Sequence, residues 1–268
     1  MEYIKETVIN LNIIKNKLQQ AFAKVWYNEF ENDGFNKLIL LAELDWREIL
    51  VLRSLTKYLR QINITYSQNY IEDTFNRHPN IARMLIKLFN MRFDPQNATA
   101  AIVDIASMEE RLNRELDAVS SLDDDRILRL YLILIKAMTR TNYFQMKDGQ
   151  FKSYLSFKFI PKLIPQLPNP KPEYEIFVYS SNFEGIHLRC GKIARGGIRW
   201  SDRREDFRTE ILGLMKAQQV KNAVIVPAGA KGGFVVKNIN KKDSREVSLK
   251  EVKICYQNFI RGLLDITV

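Results

Sequence analysis

The chain has 268 residues, of which 46% are hydrophobic and 27% are charged, so it contains enough apolar material for a folded core. It has neither 18 uninterrupted apolar residues nor a secretory signal, which argues against a membrane span and makes a cytoplasmic location the default. Two cysteines and two histidines are too few for a disulfide framework or a zinc site, so no metal is expected.

Helical patterns dominate the first two thirds of the chain. Asp45 and Glu48 have the spacing of a capping box. Apolar residues then recur at helical spacing, at Ile49, Leu52, Leu55 and Leu59. The sequence therefore predicts a helix that starts at Asp45 and buries one apolar stripe.

Two more helices are predicted before residue 160. One includes residues 81–89 and ends at the Asp-Pro pair 94–95. The other is capped by Ser121, with three aspartates near its positive end. Its buried stripe is expected at Ile127, Leu130, Leu134 and Met138. Residues 1–160 are therefore interpreted as a helical region.

Residues 161–172 contain five prolines, which cannot continue a helix. We place a Pro-rich linker and a domain boundary there. Strands are predicted next at residues 175–180 and 185–189. Asp202 and Glu205 offer a second capping box, and the helix that follows has apolar residues on one face at Phe207, Ile211, Leu214 and Met215.

The apolar run 223–227 is typical of a buried parallel strand. A Gly-rich loop, residues 228–233, is predicted to leave its end and to carry Lys231. Ligands of open α/β sheets bind beyond the carboxyl ends of strands, so Lys231 is a candidate site residue. Residues 173–268 are therefore interpreted as an α/β domain.

A second Gly-Gly element, Arg195-Gly196-Gly197, precedes the same helix. Gln218 and Lys221 lie three residues apart and share a face if the helix persists that far. Each Gly-Gly element could instead be only a turn beside a solvated charge.

Several motifs are missing. No Gly-x-Gly-x-x-Gly fingerprint of a dinucleotide site occurs among the 11 glycines. Lys231 is followed by glycine, so a phosphate-binding P-loop is not matched either. His78 and His187 have no neighbouring set of metal ligands in the sequence, and we interpret both as structural.

The net charge of +10 is concentrated in residues 171–268, which hold 18 Lys and Arg against 11 Asp and Glu. Such a segment could attract nucleic acid, a membrane surface or a small anion. Aromatic residues do not alternate with a basic stripe and no nucleic-acid motif is present, so neither nucleic acid nor a membrane is expected as a partner.

The ordered combination KIARGGIRWSDRREDFRTEILGLMKAQQVKNAVIVPAGAKGGF, residues 192–234, resembles the substrate-binding region of the large bacterial NAD-specific glutamate dehydrogenases. Segments such as ENDGFNKLIL, SQNYIEDTF and SLDDDRILR are similar to the helical region of that class, and CYQNFIRGLLDIT is similar to the continuation of its substrate-binding region. The resemblance runs from about Phe22 to the end of the chain.

The resemblance implies oxidative deamination of L-glutamate to 2-oxoglutarate and ammonia, with hydride transfer to NAD. It assigns Lys231 as the catalytic lysine. Gln218 and Lys221 match groups that hold the substrate's α-carboxylate. Arg195, with Gly196 and Gly197, takes the place where smaller relatives have a lysine that faces the γ-carboxylate.

The family's catalytic aspartate is expected just past residue 268, with the dinucleotide-binding domain after it. The resemblance therefore implies an α+β multidomain fold: a mostly helical N-terminal region followed by the truncated start of an α/β substrate-binding domain. We expect this chain alone to bind no NAD and to be inactive.

Two alternatives remain open. The chain could be a non-catalytic helical interaction module, or a remnant of a split gene. The expected partners are glutamate and 2-oxoglutarate, together with either further copies of the chain in a homo-oligomer or a complementary C-terminal half.

Overall fold

The computed structural model describes residues 11–97, 102–221, 228–239 and 244–267. Within them, the first part of the chain is a layer of helices. Their bounds are α1 Leu11–Trp26, α2 Leu38–Leu41, α3 Trp46–Gln61, α4 Gln68–Arg77, α5 Pro79–Phe93, α6 Ile102–Asp117 and α7 Leu122–Ala137. Short 3₁₀ turns lie at Gly34–Lys37, Pro95–Asn97 and Pro161–Leu163.

The start of α3 confirms the predicted capping box. The Asp45 side chain accepts from the Glu48 N–H at 2.8 Å, and the Glu48 side chain accepts from the Asp45 N–H at 2.9 Å. These reciprocal bonds satisfy two N–H groups that have no partner inside the helix. The predicted stripe of α3 is fully buried, at Ile49, Leu52, Leu55 and Leu59.

The other two helix predictions also hold. Helix α5 ends at Phe93, immediately before the Asp-Pro pair. Ser121 caps α7, where its hydroxyl oxygen accepts from the Asp124 N–H at 3.3 Å. The predicted stripe of α7 is buried, although Met138 begins a strand and does not belong to the helix.

A six-stranded sheet lies beside the helical layer, with strand order β1-β4-β5-β6-β8-β7. All neighbours are antiparallel except β7 and β8, which are parallel. A small hairpin, β2-β3, stands apart from this sheet. The strands are β1 Met138–Thr141, β2 Met146–Lys147, β3 Gln150–Phe151, β4 Leu155–Phe159, β5 Tyr174–Tyr179, β6 Phe183–Arg189, β7 Ile198–Trp200 and β8 Ala230–Val236.

The sheet confirms the α+β class and both strands predicted after the prolines, but it corrects the interpretation of residues 1–160 as helical. Two of its strands, β1 and β4, and both strands of the separate hairpin lie before residue 160. Strands β4 and β5 pair directly, from Leu155 opposite Tyr179 to Phe159 opposite Glu175. The Pro-rich segment 161–172 therefore connects two adjacent strands, and a boundary drawn there would separate paired strands.

Two helices of the later part of the chain cover opposite faces of the sheet. Helix α8, Phe207–Lys221, packs on the same face as α3. Helix α9, Arg245–Leu264, packs on the other face, where Phe259 contacts Phe234 of β8. Helix α8 begins at Phe207, so the predicted capping box of Asp202 and Glu205 is wrong.

The apolar pattern of α8 follows the prediction. Phe207, Ile211 and Met215 are buried, and Leu214 is partly buried against the same core. Both cysteines are free thiols. No helix among the described residues is both long and apolar enough to cross a membrane.

Candidate functional site

The two Gly-Gly elements of the sequence lie side by side. Arg195 and Gly229 form a parallel bridge, in which the Arg195 N–H donates to the Ala228 carbonyl at 3.3 Å. The Ala230 N–H donates to the Arg195 carbonyl at 3.1 Å, and the Gly232 N–H donates to the Gly197 carbonyl at 3.0 Å. The structure thus brings together segments that are more than 30 residues apart in the sequence.

This close approach requires glycine at position 196. A Cβ on Gly196 would lie 1.5 Å from the Ala230 carbonyl oxygen, so no side chain fits between the two backbones. At Gly197 a Cβ would lie 3.7 Å from the Lys231 Nζ. The ammonium group of Lys231 therefore stands over the bare backbone of the first Gly-Gly element.

Lys231 lies in a different kind of element from the one predicted. Residues 230–236 form strand β8, so the Gly-rich element is largely a strand and not a loop beyond the end of one. Lys231 is paired with Leu188 in the adjacent strand β6. The predicted strand 223–227 lies outside the described residues.

Helix α8 covers the face of the sheet that carries Lys231. Ile211 of α8 lies against Gly233, where a Cβ would be 2.3 Å from the Ile211 side chain. One turn later, the Met215 Sδ is 3.3 Å from the Cys190 Sγ, and the Cys190 N–H donates to the Gly229 carbonyl. The helix therefore runs from the middle of β8 towards the end where Lys231 lies.

The helix persists as far as the predicted pair requires. Gln218 lies one turn beyond Met215 and is half-buried, and Lys221 is the last residue of α8. Both residues are thus at the same end of the sheet as Lys231 and Arg195. The side chain of Lys221 lies outside the described part of the structure.

The site is cationic. Neither the half-buried Lys231 nor the exposed Arg195 forms an ion pair with any residue that the structure describes. Arg199 differs, because its Nε lies 2.5 Å from the Glu210 carboxylate. Two cations without a carboxylate partner, beside exposed backbone, can receive a negatively charged ligand.

Glu210 is a residue that the sequence analysis missed. Its second carboxylate oxygen accepts from the Ser201 hydroxyl at 2.5 Å, so Glu210 ties α8 to the middle of the short strand β7 and to the residue that follows it. This strand continues directly from Arg195-Gly196-Gly197. No local sequence pattern pointed to Glu210, because its partners Arg199 and Ser201 precede α8 and do not lie on the helix itself.

Gln61 and Arg208 were missed as well. The Gln61 amide donates to the Arg204 carbonyl at 2.9 Å and accepts from the Arg208 N–H at 3.2 Å, which joins α3 to the start of α8. The Arg208 guanidinium binds Glu175 of β5 through two bonds of 2.8 and 2.7 Å, and both side chains are almost fully buried. The sequence gives no signal for partners that are 33 to 147 residues away.

The glycine fingerprint of a dinucleotide site is not matched in the described βαβ unit. The βαβ unit of β7, α8 and β8 has no glycine in its first turn, residues 201–206, where a pyrophosphate would need close access to the backbone. We therefore assign NAD no residue in this part of the chain. Within the same residues, no group of three or more His, Cys, Asp or Glu side chains could hold a metal ion.

Comparison with known proteins identifies two family profiles. The profile described as "Bacterial NAD-glutamate dehydrogenase, catalytic domain" matches residues 111–268, more than half of the chain. The profile described as "Glutamate dehydrogenase, helical motif 3" matches residues 30–95. Between them they include most of the helical layer from residue 30, the sheet and the candidate site.

Individual relatives point to the same family as the two profiles. The NAD-specific glutamate dehydrogenase of Halomonas elongata is 52% identical over 100% of this chain, and that of Pseudomonas aeruginosa is 51% identical over 99%. That of Mycobacterium tuberculosis is 47% identical over 97% of the chain. In each case the match spans 17% of the relative's own length. The chain belongs to the bacterial NAD-glutamate dehydrogenase family.

Proposed function

We propose that this chain supplies the lysine-bearing part of the substrate site of an NAD-specific glutamate dehydrogenase, as the α/β substrate-binding part of that enzyme. The overall reaction is L-glutamate, NAD and water to 2-oxoglutarate, ammonia and NADH. NAD is the hydride acceptor of the complete enzyme and is held by residues other than those described above.

The observation that carries the proposal is the position of Lys231. Its ammonium group stands over Gly197, on the face covered by α8, and has no carboxylate partner among the described residues. A cation held in this way can polarise a substrate carbonyl or imine and assist the attack of water. A carboxylate partner would instead neutralise it.

The remaining roles follow from charge and position. The substrate carries two carboxylates, and cations are the groups that bind them with the strongest hydrogen bonds. Arg195 is the cation proposed for the γ-carboxylate, with Gly196 and Gly197 leaving the backbone open beside it. Gln218 and Lys221, at the end of α8, are proposed for the α-carboxylate.

The test is a chimera in which this chain replaces the segment of the Halomonas elongata protein to which it aligns. Glutamate-dependent formation of NADH is followed by absorbance. We expect the chimera to be active and Lys231→Ala to reduce kcat by about 10²- to 10⁴-fold, the usual contribution of a general acid or base.

Lys253→Ala is the matched control, since Lys253 is an exposed lysine of α9 that contacts no part of the site. It should change kcat by less than about twofold. A Lys231→Ala chimera that keeps nearly the full rate would show that the role assigned to Lys231 is wrong.

A further inference from the structure

A second concave site lies on the opposite face of the sheet from Lys231. Cross-strand pairing puts Lys158, Ile176 and His187 in one row on the face that α9 covers, with Arg189 beside Tyr174 in the next row. Lys231 is paired with Leu188 and therefore points to the other face. The two sites are thus separated by the thickness of the sheet.

The cavity has a volume of about 380 Å³ and lies next to the last turn of α9. Its wall includes three cations, Lys158, Arg189 and Lys192, and an apolar side formed by Tyr174 and Leu263. We call it the basic pocket. Its volume is in the range of small-molecule sites, about 300–1,000 Å³.

The cations of the basic pocket have no carboxylate partner among the described residues, although Arg189 donates to the Lys192 carbonyl and Lys158 lies over the Tyr174 ring. None of the three forms an ion pair with the residues that the structure describes, and the nearby Glu173 binds none of them. The Arg189 Nε is buried without a hydrogen-bond partner in the same set of residues. Burial, with Arg140 and Arg189 nearby, lowers the pKa of Lys158.

Two other half-buried lysines have carboxylate partners. Lys237 lies 2.8 Å from Glu184 and 2.9 Å from Glu31, and Lys152 lies 2.6 Å from Asp265. Like charges gathered without a counter-ion destabilise the folded state. A bound anion would relieve this repulsion in the basic pocket.

The floor of the pocket is His187, which adds a hydrogen-bonding group but no charge near neutral pH. Burial and the neighbouring Arg189 lower the pKa of its imidazole to about 4. Its ring carbon lies 3.0 Å from the position of a Cβ on Gly232, so it is packed against β8. The groups able to neutralise an anion are thus Lys158, Arg189 and Lys192.

We propose that the basic pocket binds a small molecule that carries its negative charge on phosphate, with an apolar or aromatic part against Tyr174 and Leu263. A phosphate concentrates about two charges and three acceptor oxygens on one group, which suits three converging cations. This site is independent of the one proposed for glutamate.

Calorimetric titration of the 268-residue chain tests the proposal with AMP, inorganic pyrophosphate and adenosine as probes. AMP and pyrophosphate should bind and should weaken as salt is raised, whereas adenosine should not bind. If AMP binds no more tightly than pyrophosphate, the apolar contact with Tyr174 and Leu263 contributes nothing, and that part of the proposal is wrong. Binding of neither phosphate would overturn the whole of it.

The double variant Lys158→Gln, Lys192→Gln should weaken AMP binding at least about tenfold. Its control, Lys162→Gln with Lys253→Gln, removes the same charge from exposed positions and should leave binding unchanged. An equal loss of AMP affinity in both double variants would show only a general effect of net charge and would contradict binding at the basic pocket.

Thermal unfolding without ligand separates a binding role from a structural one. The double pocket variant relieves repulsion, so it should melt no lower than the unmodified chain. A lower melting temperature would mean that the two lysines support the fold, which would overturn the proposal.

The variant Lys231→Ala tests whether AMP binds at the basic pocket or at the glutamate site. It should leave AMP binding unaltered. Loss of AMP binding in this variant would show that AMP binds at the glutamate site, which would overturn the proposal.

Discussion

Glu31 joins the helical layer to the sheet through two lysines. Its carboxylate lies 3.0 Å from Lys57 of α3 and 2.9 Å from Lys237, which follows β8. Lys237 also contacts Glu184 and donates to the Ser180 carbonyl. Burial alone would raise the pKa of Glu31, but Lys237 and Lys57 outweigh it and lower the pKa from 4.5 to about 2.

A lowered carboxylate pKa stabilises the folded state above the unfolded value, and that contribution is lost as the pH falls. For Glu31 the loss occurs between pH 4.5 and about 2. Glu31→Gln should therefore lower the free energy of unfolding at pH 7 by about 2 kcal/mol, as expected for hydrogen bonds to charged groups. Urea denaturation at several pH values should show this difference shrinking below pH 4.5.

The control for this prediction is Glu29→Gln. Glu29 pairs with Lys24 on the surface, and both groups are exposed, so its loss should cost less than about 1 kcal/mol. A difference for Glu31→Gln that stays constant from pH 7 to pH 2 would contradict the ionic explanation.

Helix α8 is the element on which the candidate site depends, and it is held at both ends. At its start, the side chain of Gln61 is only 4% exposed and bonds to Arg204, Glu205 and Arg208. Towards its other end, Met215 packs on Cys190 beside Gly229. The helical layer therefore determines where Gln218 lies relative to β8.

Replacing Gln61 by Met keeps the length of the side chain but removes its donors and acceptor. The buried N–H of Arg208 then loses its side-chain partner, so we expect a loss of about 1–3 kcal/mol in the free energy of unfolding. Hydrogen exchange should also become faster in the first turn of α8. Gln19→Met, at an exposed position of α1, should change neither quantity. Unchanged exchange in α8 for Gln61→Met would show that this contact does not hold the helix.

The elements that the sequence predicted well are those whose signals are local. The caps of α3 and α7 depend on residues three positions apart, and the stripes of both helices depend on one periodic pattern. These features need no knowledge of the rest of the fold. The same holds for β5 and β6, whose apolar runs were assigned nearly to their observed bounds.

The elements that were wrong depend on distant partners. Glycines in residues 228–233 indicated a loop, yet in β8 Gly232 leaves room for Ile198 and Gly233 leaves room for Ile211 of α8. The candidate residues themselves were found by resemblance. Their neighbours Glu210 and Gln61 were not, because only the tertiary fold brings them to α8.

At the scale of the whole molecule, one apolar core runs through the helices and the sheet. Tyr58 of α3 stacks on Phe159 with ring centroids 4.8 Å apart and contacts Phe177 at 5.4 Å. Phe159 belongs to β4 and Phe177 to β5, on either side of the Pro-rich segment. The buried pair of Arg208 and Glu175 lies in the same region and ties α8 to β5.

This continuity predicts that the helical layer and the sheet unfold as one unit. Native-state hydrogen exchange in increasing urea should give peptides of α3 and of β5 the same opening free energy, because neither keeps its buried face without the other. Cleavage of the backbone tests the same prediction. If a protease site is placed at the exposed residues 162–163, the two pieces should stay associated after cleavage until both unfold together. If β5 and β6 stay protected after α3 has exchanged, the sheet is an independent domain, and the boundary predicted at residues 161–172 would describe the energetics better than the shared core does.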